Sequence, residues 1–356
     1  MVVVWGPPNK GPRSAALARE LGIGPATFIE AGSGRGFLSA VARYPRQLVG
    51  TLAALVGRRP RAVVVQHPPS PAVWVVALYA ALTGGRFVID AHSDALGRAR
   101  WLRPLWLTRL LVRRAAAVLV TDPHWAATVE GWGARAIVNP DVPTSFELDP
   151  AASPSSPDLG FSIAVVNTWA PDEPLAAVIE AARDLPDVIF RITGRADRRV
   201  DALGTLPPNV RFTDFLAEPA YYGLLASSSA VMCLTTRDHT MQRGACEALS
   251  LGRPIITSDF PLLRGYFDRG AVHVAATPAS IREGVKSLRA DYDRQLAAVT
   301  DLREVRRLEW ADRRETIVAL LDGASTQLMT TSGASVADTP PATAASGSAG
   351  ANGGHR

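Results

Sequence analysis

The sequence predicts an α/β protein built from two tandem Rossmann-like domains, each a doubly wound parallel sheet, facing each other across a central cleft. Three observations carry this. Short β-branched apolar runs alternate with longer helical patterns along most of the chain. The alternation breaks at PTSFELDPAASPSSPD (Pro143–Asp158), a stretch rich in Pro, Ser and Ala, and then restarts. The 356 residues are 47% hydrophobic and 20% charged, the composition of a globular protein with large cores. Continuous apolar runs followed by helices denote parallel strands, because crossover helices cover the sheet on both faces.

In the first domain, residues 1–145, strands are expected at Val2–Trp5, Ala62–Gln66, Phe87–Asp90, Ala117–Thr121 and Ala136–Val138. Helical patterns at Pro12–Leu21, Ser70–Leu82 and Trp101–Arg114 separate them. Residues 146–160 form a linker. The second domain, 161–322, is expected to place strands at Phe161–Val166, Val188–Thr193, Val210–Phe212, Ala230–Leu234, Pro254–Thr257 and Ala271–Val274. Helical patterns from Ser280 to Leu321 close the fold, and the final helices are in a position to pack back on the first domain. Residues 323–356 have too little apolar surface to form a core and are expected to be disordered.

The net charge of +5 and the pI of about 9.6 fit an anionic partner, either a phosphate ligand or a membrane surface. Cys233 and Cys246 lie in strand and helix patterns and form neither a disulfide framework nor a metal motif. The longest apolar stretch, Pro71–Leu82, falls short of the ~18–20 residues that span a bilayer. The chain opens directly on a strand, so a cytoplasmic setting is expected, with peripheral attachment to the inner face of the plasma membrane.

Ligands of open α/β sheets bind beyond the carboxyl ends of the strands. The first such loop, GPPNKGPR, holds Asn9, Lys10 and Gly11. It is neither GxGxxG nor a Walker loop, so the dinucleotide and P-loop readings lose support. Gln66 and His67 end the next strand, as further acceptor-site or cleft residues. Asp90, His92 and Asp94 follow in RFVIDAHSDAL, where a carboxylate or imidazole near a cleft suits acid–base work. In the second domain, Gly194 and Arg195 sit after a strand. The richest stretch is TTRDHTMQRGACEALSLGRPIITSD, Thr235–Asp259. Its hydroxyls, Arg237, His239, Thr240 and Arg243 precede or open a helix, where backbone N–H groups favour phosphate. One acid, Glu247, lies in that helix among Ala245, Ala248 and Leu249. A carboxylate there gains nothing from packing but accepts two hydrogen bonds from a ribose diol.

The helix bearing EALSLGRPIITSD, its preceding polar loop and the two tandem domains resemble the GT-B glycosyltransferases of the family 4 type. The resemblance implies that Glu247 binds the ribose of a nucleotide-sugar. A second glutamate, common in that group eight positions earlier, is replaced here by His239. The basic pair that grips the diphosphate after the first strand of the second domain has no counterpart in NTWAPDEP. Arg195, Arg237, Arg243 or the helix N-terminus would take over. The segment VVVQHPPSPAVWVVALYAALTGGRFVIDAHSDAL resembles the chitobiosyl-diphosphodolichol β-mannosyltransferases.

The expected activity is a metal-independent hexosyltransferase using a GDP- or UDP-sugar as co-substrate, with no other cofactor and no nucleic-acid partner. The acceptor is a glycan or a lipid-linked glycan, in cell-surface polysaccharide or glycolipid synthesis. His92 and Asp94 would line the sugar, and Asp94 or Asp90 would serve as base in an inverting reaction. The Arg- and Trp-rich segment 98–114 suits an anionic membrane surface. A nucleotide-sugar 2-epimerase of the same fold and a non-catalytic two-lobed binding protein are the alternatives.

Overall fold

The computed structural model describes residues 1–7, 12–32, 37–144, 146, 160–195, 198–201 and 203–323. Asn9, Lys10, Gly11, nearly all of the expected linker and the tail after Gly323 lie outside the described residues.

The first lobe runs β1 (Val2–Trp5), α1 (Pro12–Glu20), β2 (Thr27–Ile29), α2 (Phe37–Arg58), β3 (Ala62–His67), α3 (Ser70–Thr83) and β4 (Arg86–Ala91). It continues through α4 (Ser93–Gly97), α5 (Leu105–Arg114), β5 (Ala117–Val120), α6 (Pro123–Gly131) and β6 (Ala136–Val138). Its strands form a parallel sheet in the order β2-β1-β3-β4-β5-β6. The expected single helix over 101–114 is broken. Pro104 caps α5 in an extended conformation, and a short 3₁₀ turn covers Ala99–Trp101. Proline lacks the N–H that a continuous helix would need there.

The second lobe runs β7 (Ser162–Val165), α7 (Leu175–Arg183), β8 (Ile189–Ile192), α8 (Arg198–Asp201), β9 (Val210–Phe212), α9 (Glu218–Ser227) and β10 (Ala230–Cys233). Then come α10 (Arg243–Ser250), β11 (Ile255–Ser258), α11 (Pro261–Tyr266), β12 (Ala271–Val274), α12 (Pro278–Ala290) and α13 (Tyr292–Asp322). The parallel order is β12-β11-β10-β7-β8-β9. Strand order reverses between β1 and β3 and between β7 and β10. Those are the points where chain crossovers diverge and leave a crevice.

The pleat decides what each strand residue meets. Val3 and Trp5 of β1 face α2 and α3, whereas Val2 and Val4 face α1 and α13. Helix α13 serves both lobes. Val299 and Leu302 join the core beneath α10, and Trp310, Ile317 and Leu321 join the core beneath α1. Its 31 residues span about 46 Å at 1.5 Å per residue.

Candidate active site

The two lobes meet along the carboxyl edges of β4–β6 and β10. Helix α10 anchors the second-lobe side. It starts close against β7: a Cβ at Gly244 would stand 2.8 Å from Val166 Cγ1, so glycine is required there. Glu247 is buried one turn further on. Its Oε2 accepts from the Tyr221 hydroxyl at 2.7 Å, and its Oε1 accepts from Arg243 Nε at 2.9 Å. Burial pushes the Glu247 carboxyl above its ordinary range against the opposing pull of Arg243.

From Arg243 a chain of ion pairs crosses to the first lobe. Arg243 Nη1 lies 3.4 Å from Asp141 Oδ1, and Arg13 Nη1 lies 3.2 Å from the same oxygen. Arg13 Nη2 reaches Asp90 Oδ1 at 3.4 Å, and it also donates to the Asn139 carbonyl at 2.8 Å. Asp90 Oδ2 pairs with His92 Nε2 at 3.2 Å. Burial alone would raise Asp90, but Arg13 and His92 together hold it down at about 2. Asp90 is 1% exposed and both its oxygens are occupied. In this arrangement its carboxylate is closed inside the lobe, and His92 lies between it and the cleft side as its partner.

Asp94, the other expected base, is also engaged. Arg237 Nη1 donates to Oδ1 at 2.9 Å, and Arg98 Nε lies 2.8 Å from Oδ2. Desolvation works upward on this carboxyl, but the two arginines outweigh it and lower it. His92 remains as the half-buried imidazole beside them. The ionised Asp90 on Nε2 favours a proton there and leaves Nδ1 as an acceptor.

His239 does not stand free in the cleft. Its Nδ1 lies 2.8 Å from Asp122 Oδ2, and its ring stacks on His124 at 4.0 Å between centroids. Trp125 Nε1 donates to its carbonyl at 3.2 Å. The backbone of His239 has φ 54, a left-handed conformation uncommon outside glycine. Asp122 is held because its other oxygen caps α6, accepting from the His124 N–H at 2.7 Å. With Asp94–Arg237, this contact joins the lobes along the front of the cleft. Thr240, nearby, donates to the Asp238 carbonyl at 3.2 Å.

The remaining expected residues separate into two groups. Gly194 follows β8 at φ 97, and a Cβ there would meet the Asn167 carbonyl at 2.9 Å. Trp169 stacks on Phe212 at 5.8 Å and donates to the Arg195 carbonyl at 3.0 Å, leaving Arg195 exposed at the edge of the same loop. Glu173 fastens that loop by accepting from the Thr168 and Ala170 N–H groups. In the first lobe, Gln66 accepts from Ser14 at 3.2 Å. His67 is buried against Ser70 at 3.1 Å, and desolvation lowers it to about 4. In this arrangement His67 is packed inside the first lobe.

Asp122, His124, Trp125, Asp141 and Tyr221 were not singled out in the sequence. The TDPHW run ends β5 as RFVIDAH ends β4, so the same search along strand ends reaches Asp122 and His124. Asp141 and Tyr221 give no local signal. Among the described residues, no group of three or more His, Cys, Asp and Glu side chains is placed to hold a metal ion.

Comparison with known proteins fits this architecture. Residues 1–140 match the Glycosyl transferase 4-like domain, and residues 161–291 match the Glycosyl transferases group 1 domain. No curated protein matches the sequence. The solved structure of Anabaena HepE in complex with UDP and glucose superposes with a TM-score of 0.65, at 15% identity, over 91% of this chain and 100% of that one. Sucrose-phosphate synthase from Thermosynechococcus elongatus gives 0.63 at 15% identity, over 84% of each chain. A UDP-N-acetylglucosamine 2-epimerase gives 0.63 at 14% identity, over 92% of this chain and 96% of that one. Two domain matches in the expected order, on two separate six-stranded parallel sheets, place the chain among the GT-B glycosyltransferases of the family 4 type.

Proposed function

We propose that the chain transfers a hexose from a UDP- or GDP-sugar to a hydroxyl of a glycan or lipid-linked glycan, without a metal ion, in the synthesis of a cell-surface polysaccharide or glycolipid. The observation that carries this reading is Glu247. It is a buried carboxylate at the crevice of the second sheet, and both its donors are side chains that have other partners or can move aside. Arg243 is shared with Asp141, and Tyr221 is a neutral hydroxyl. A ribose diol offers two O–H donors in one rigid unit, in place of the Arg243 N–H and the Tyr221 O–H. HepE, of the same fold, is known with UDP-glucose and with UDP.

In this reading Arg237, Arg195 and the backbone N–H groups that open α10 face the developing charge on the leaving diphosphate. Stabilising charge that develops in the transition state is often the largest catalytic contribution. Opening the Asp94–Arg237 pair frees Arg237 for that role. His92 stands on the acceptor side. In an inverting reaction its Nδ1 takes the acceptor proton, with Asp90 stabilising the imidazolium. In a retaining reaction the same pair positions the sugar.

A thermal-shift screen of UDP, GDP and their sugars tests the reading, since a ligand at 100 times its dissociation constant stabilises by about 2.7 kcal/mol. No stabilisation by any of them would overturn it. Incubation with donor alone separates the second reading, favoured by the 2-epimerase of the same fold. An epimerase changes the sugar without an acceptor, whereas a transferase needs one. His92→Ala should lower turnover far more than nucleotide affinity, and normal turnover would move the chemistry elsewhere.

A further inference from the structure

The first lobe covers the two faces of its sheet differently. On one face, α1 and α13 close a compact core. On the other, α2, α3 and α5 lie side by side, α2 against α3 and α3 against α5. Their inner rows are core, including Leu55 of α2, Val76 of α3 and Val112 of α5. Their outer rows are apolar as well. Helix α2 exposes Val49 and Val56, two turns apart, with Leu52 between them. Helix α3 exposes Leu78 and, one turn on, Leu82 at 77%. Helix α5 exposes Leu105, Leu110 and Trp106, the last at 69%. Residues three or four apart share a helix face, so these are continuous outward stripes.

The charge carried by this stretch of the chain is one-sided. From Ala31 to Thr121 the sequence holds thirteen arginines, no lysine and two acids, Asp90 and Asp94. That excess is larger than the net charge of the whole chain, +5. Both acids are engaged at the cleft by Arg13, His92, Arg98 and Arg237. Helices α2, α3 and α5 themselves carry no carboxylate. On α5, Arg109 alternates with Trp106 and Leu110 along the exposed side. Among the described residues, Arg100, Arg103, Arg109 and Arg114 form no ion pair with a carboxylate. Arg100 lies over the Trp101 ring at 4.7 Å, and Arg109 over Trp132 at 6.0 Å.

A surface that mixes exposed indole and leucine with unpaired guanidinium matches the headgroup layer of a bilayer. There the apolar side chains leave water while arginine meets phosphate. A nucleic acid would satisfy the arginines but leave Val49, Leu78 and Leu82 in water. The segment beyond Gly323 holds a single carboxylate, Asp338, and so offers little charge to cover this face. We propose that the α2–α3–α5 face docks on a bilayer containing anionic lipid. The proposal rests on this surface alone and stands whether or not the cleft transfers sugar.

Cosedimentation of the full chain with vesicles tests it. One set is phosphatidylcholine alone, and the other is phosphatidylcholine mixed with phosphatidylglycerol. The chain should bind the mixed vesicles, bind the neutral ones weakly, and lose affinity as salt rises from about 0.1 to 0.5 M. Arg103→Ala, Arg109→Ala and Arg114→Ala combined should weaken binding about tenfold or more. Leu105→Gln, Trp106→Gln and Leu110→Gln combined should weaken it comparably at fixed charge. All six residues are exposed, so unchanged thermal midpoints will show that both variants fold. Equal binding to the two vesicle types, no binding at low salt, or binding indifferent to the apolar variant would each overturn the proposal. The same holds for an RNA oligonucleotide that competes fully with the vesicles.

Discussion

Asp90 and Glu247 stand at opposite ends of one chain of ion pairs, and their surroundings drive them in opposite directions. Each is a buried acid with two side-chain partners. Asp90 is held down at about 2, whereas Glu247 is raised. The difference lies in the partners. Asp90 faces Arg13 and His92, and its charge is well matched. Glu247 shares its one cation with Asp141, and its other donor is the neutral Tyr221. A fully matched acid is a structural fixture that orients His92. In the proposed reading, the under-matched one is where an incoming pair of ribose hydroxyls would improve the balance.

The largest effect that sharpens this contrast is the dependence of stability on acid. Buried His67 is lowered from 6.5 to about 4, so the unfolded chain takes up a proton that the folded chain refuses. Its contribution is complete above pH 6.5 and falls by about 1.4 kcal/mol per pH unit, about 3 kcal/mol by pH 4. Asp90, lowered from 3.8 to about 2, contributes stability that is complete above pH 4. About 2 kcal/mol of it is lost as pH falls through 2. Urea unfolding across this range should show two limbs, and His67→Asn should remove only the upper one. A single limb centred at the ordinary carboxylate range would break the contrast.

At pH 7, Asp90→Asn should cost about 2–3 kcal/mol of unfolding free energy, because Arg13 loses a buried counter-charge. Glu247→Gln keeps an oxygen for one donor and should cost about 1 kcal/mol. Equal losses in the two variants would show that both acids are structural. For binding the order reverses. Glu247→Ala should weaken the cognate nucleoside diphosphate by about 1.5–3 kcal/mol in calorimetry, with the fold intact. Unchanged affinity would remove Glu247 from the site. The smallest effect concerns the front of the cleft. Asparagine caps a helix as aspartate does, so Asp122→Asn keeps α6 while weakening the link to His239. That partly exposed pair is worth at most about 1 kcal/mol, so nucleotide affinity should rise by up to about fivefold as the lobes part more easily. A fall in affinity would make Asp122 a ligand-binding group instead.

Most of the fold was legible because parallel strands buried on both faces leave uninterrupted apolar runs. Of the strands, β2 at Thr27–Ile29 escaped notice: it is three half-buried residues at a sheet edge. The helix α2 escaped as well, since Pro45 lies inside it and reads as a helix breaker. The burial of Glu247 was legible because Ala245, Ala248 and Leu249 beside it mark the helix as packed. The burial of His67 was not legible, because strand-end position does not distinguish a side chain aimed into the core from one aimed at the crevice. The pairing of Asp90 was not legible because its partner Arg13 is far away in sequence. No local pattern reports a pair made by folding.

Helix α13 has a consequence for how this protein is made. Trp310 Nε1 donates to Glu20 Oε2 at 3.3 Å across 290 positions of sequence, and Trp310 shares a core with Val2, Val4 and Leu17. On the ribosome the first lobe emerges early, yet one face of its sheet waits for nearly the last residues of the folded body. Until then Val2, Val4, Leu17 and Leu119 lack the cover that α13 supplies and have only α1 on that side. A fragment ending before Pro143 should therefore aggregate rather than fold. The nascent chain spends most of its synthesis with its oldest strands unfinished, the state in which chaperones matter most.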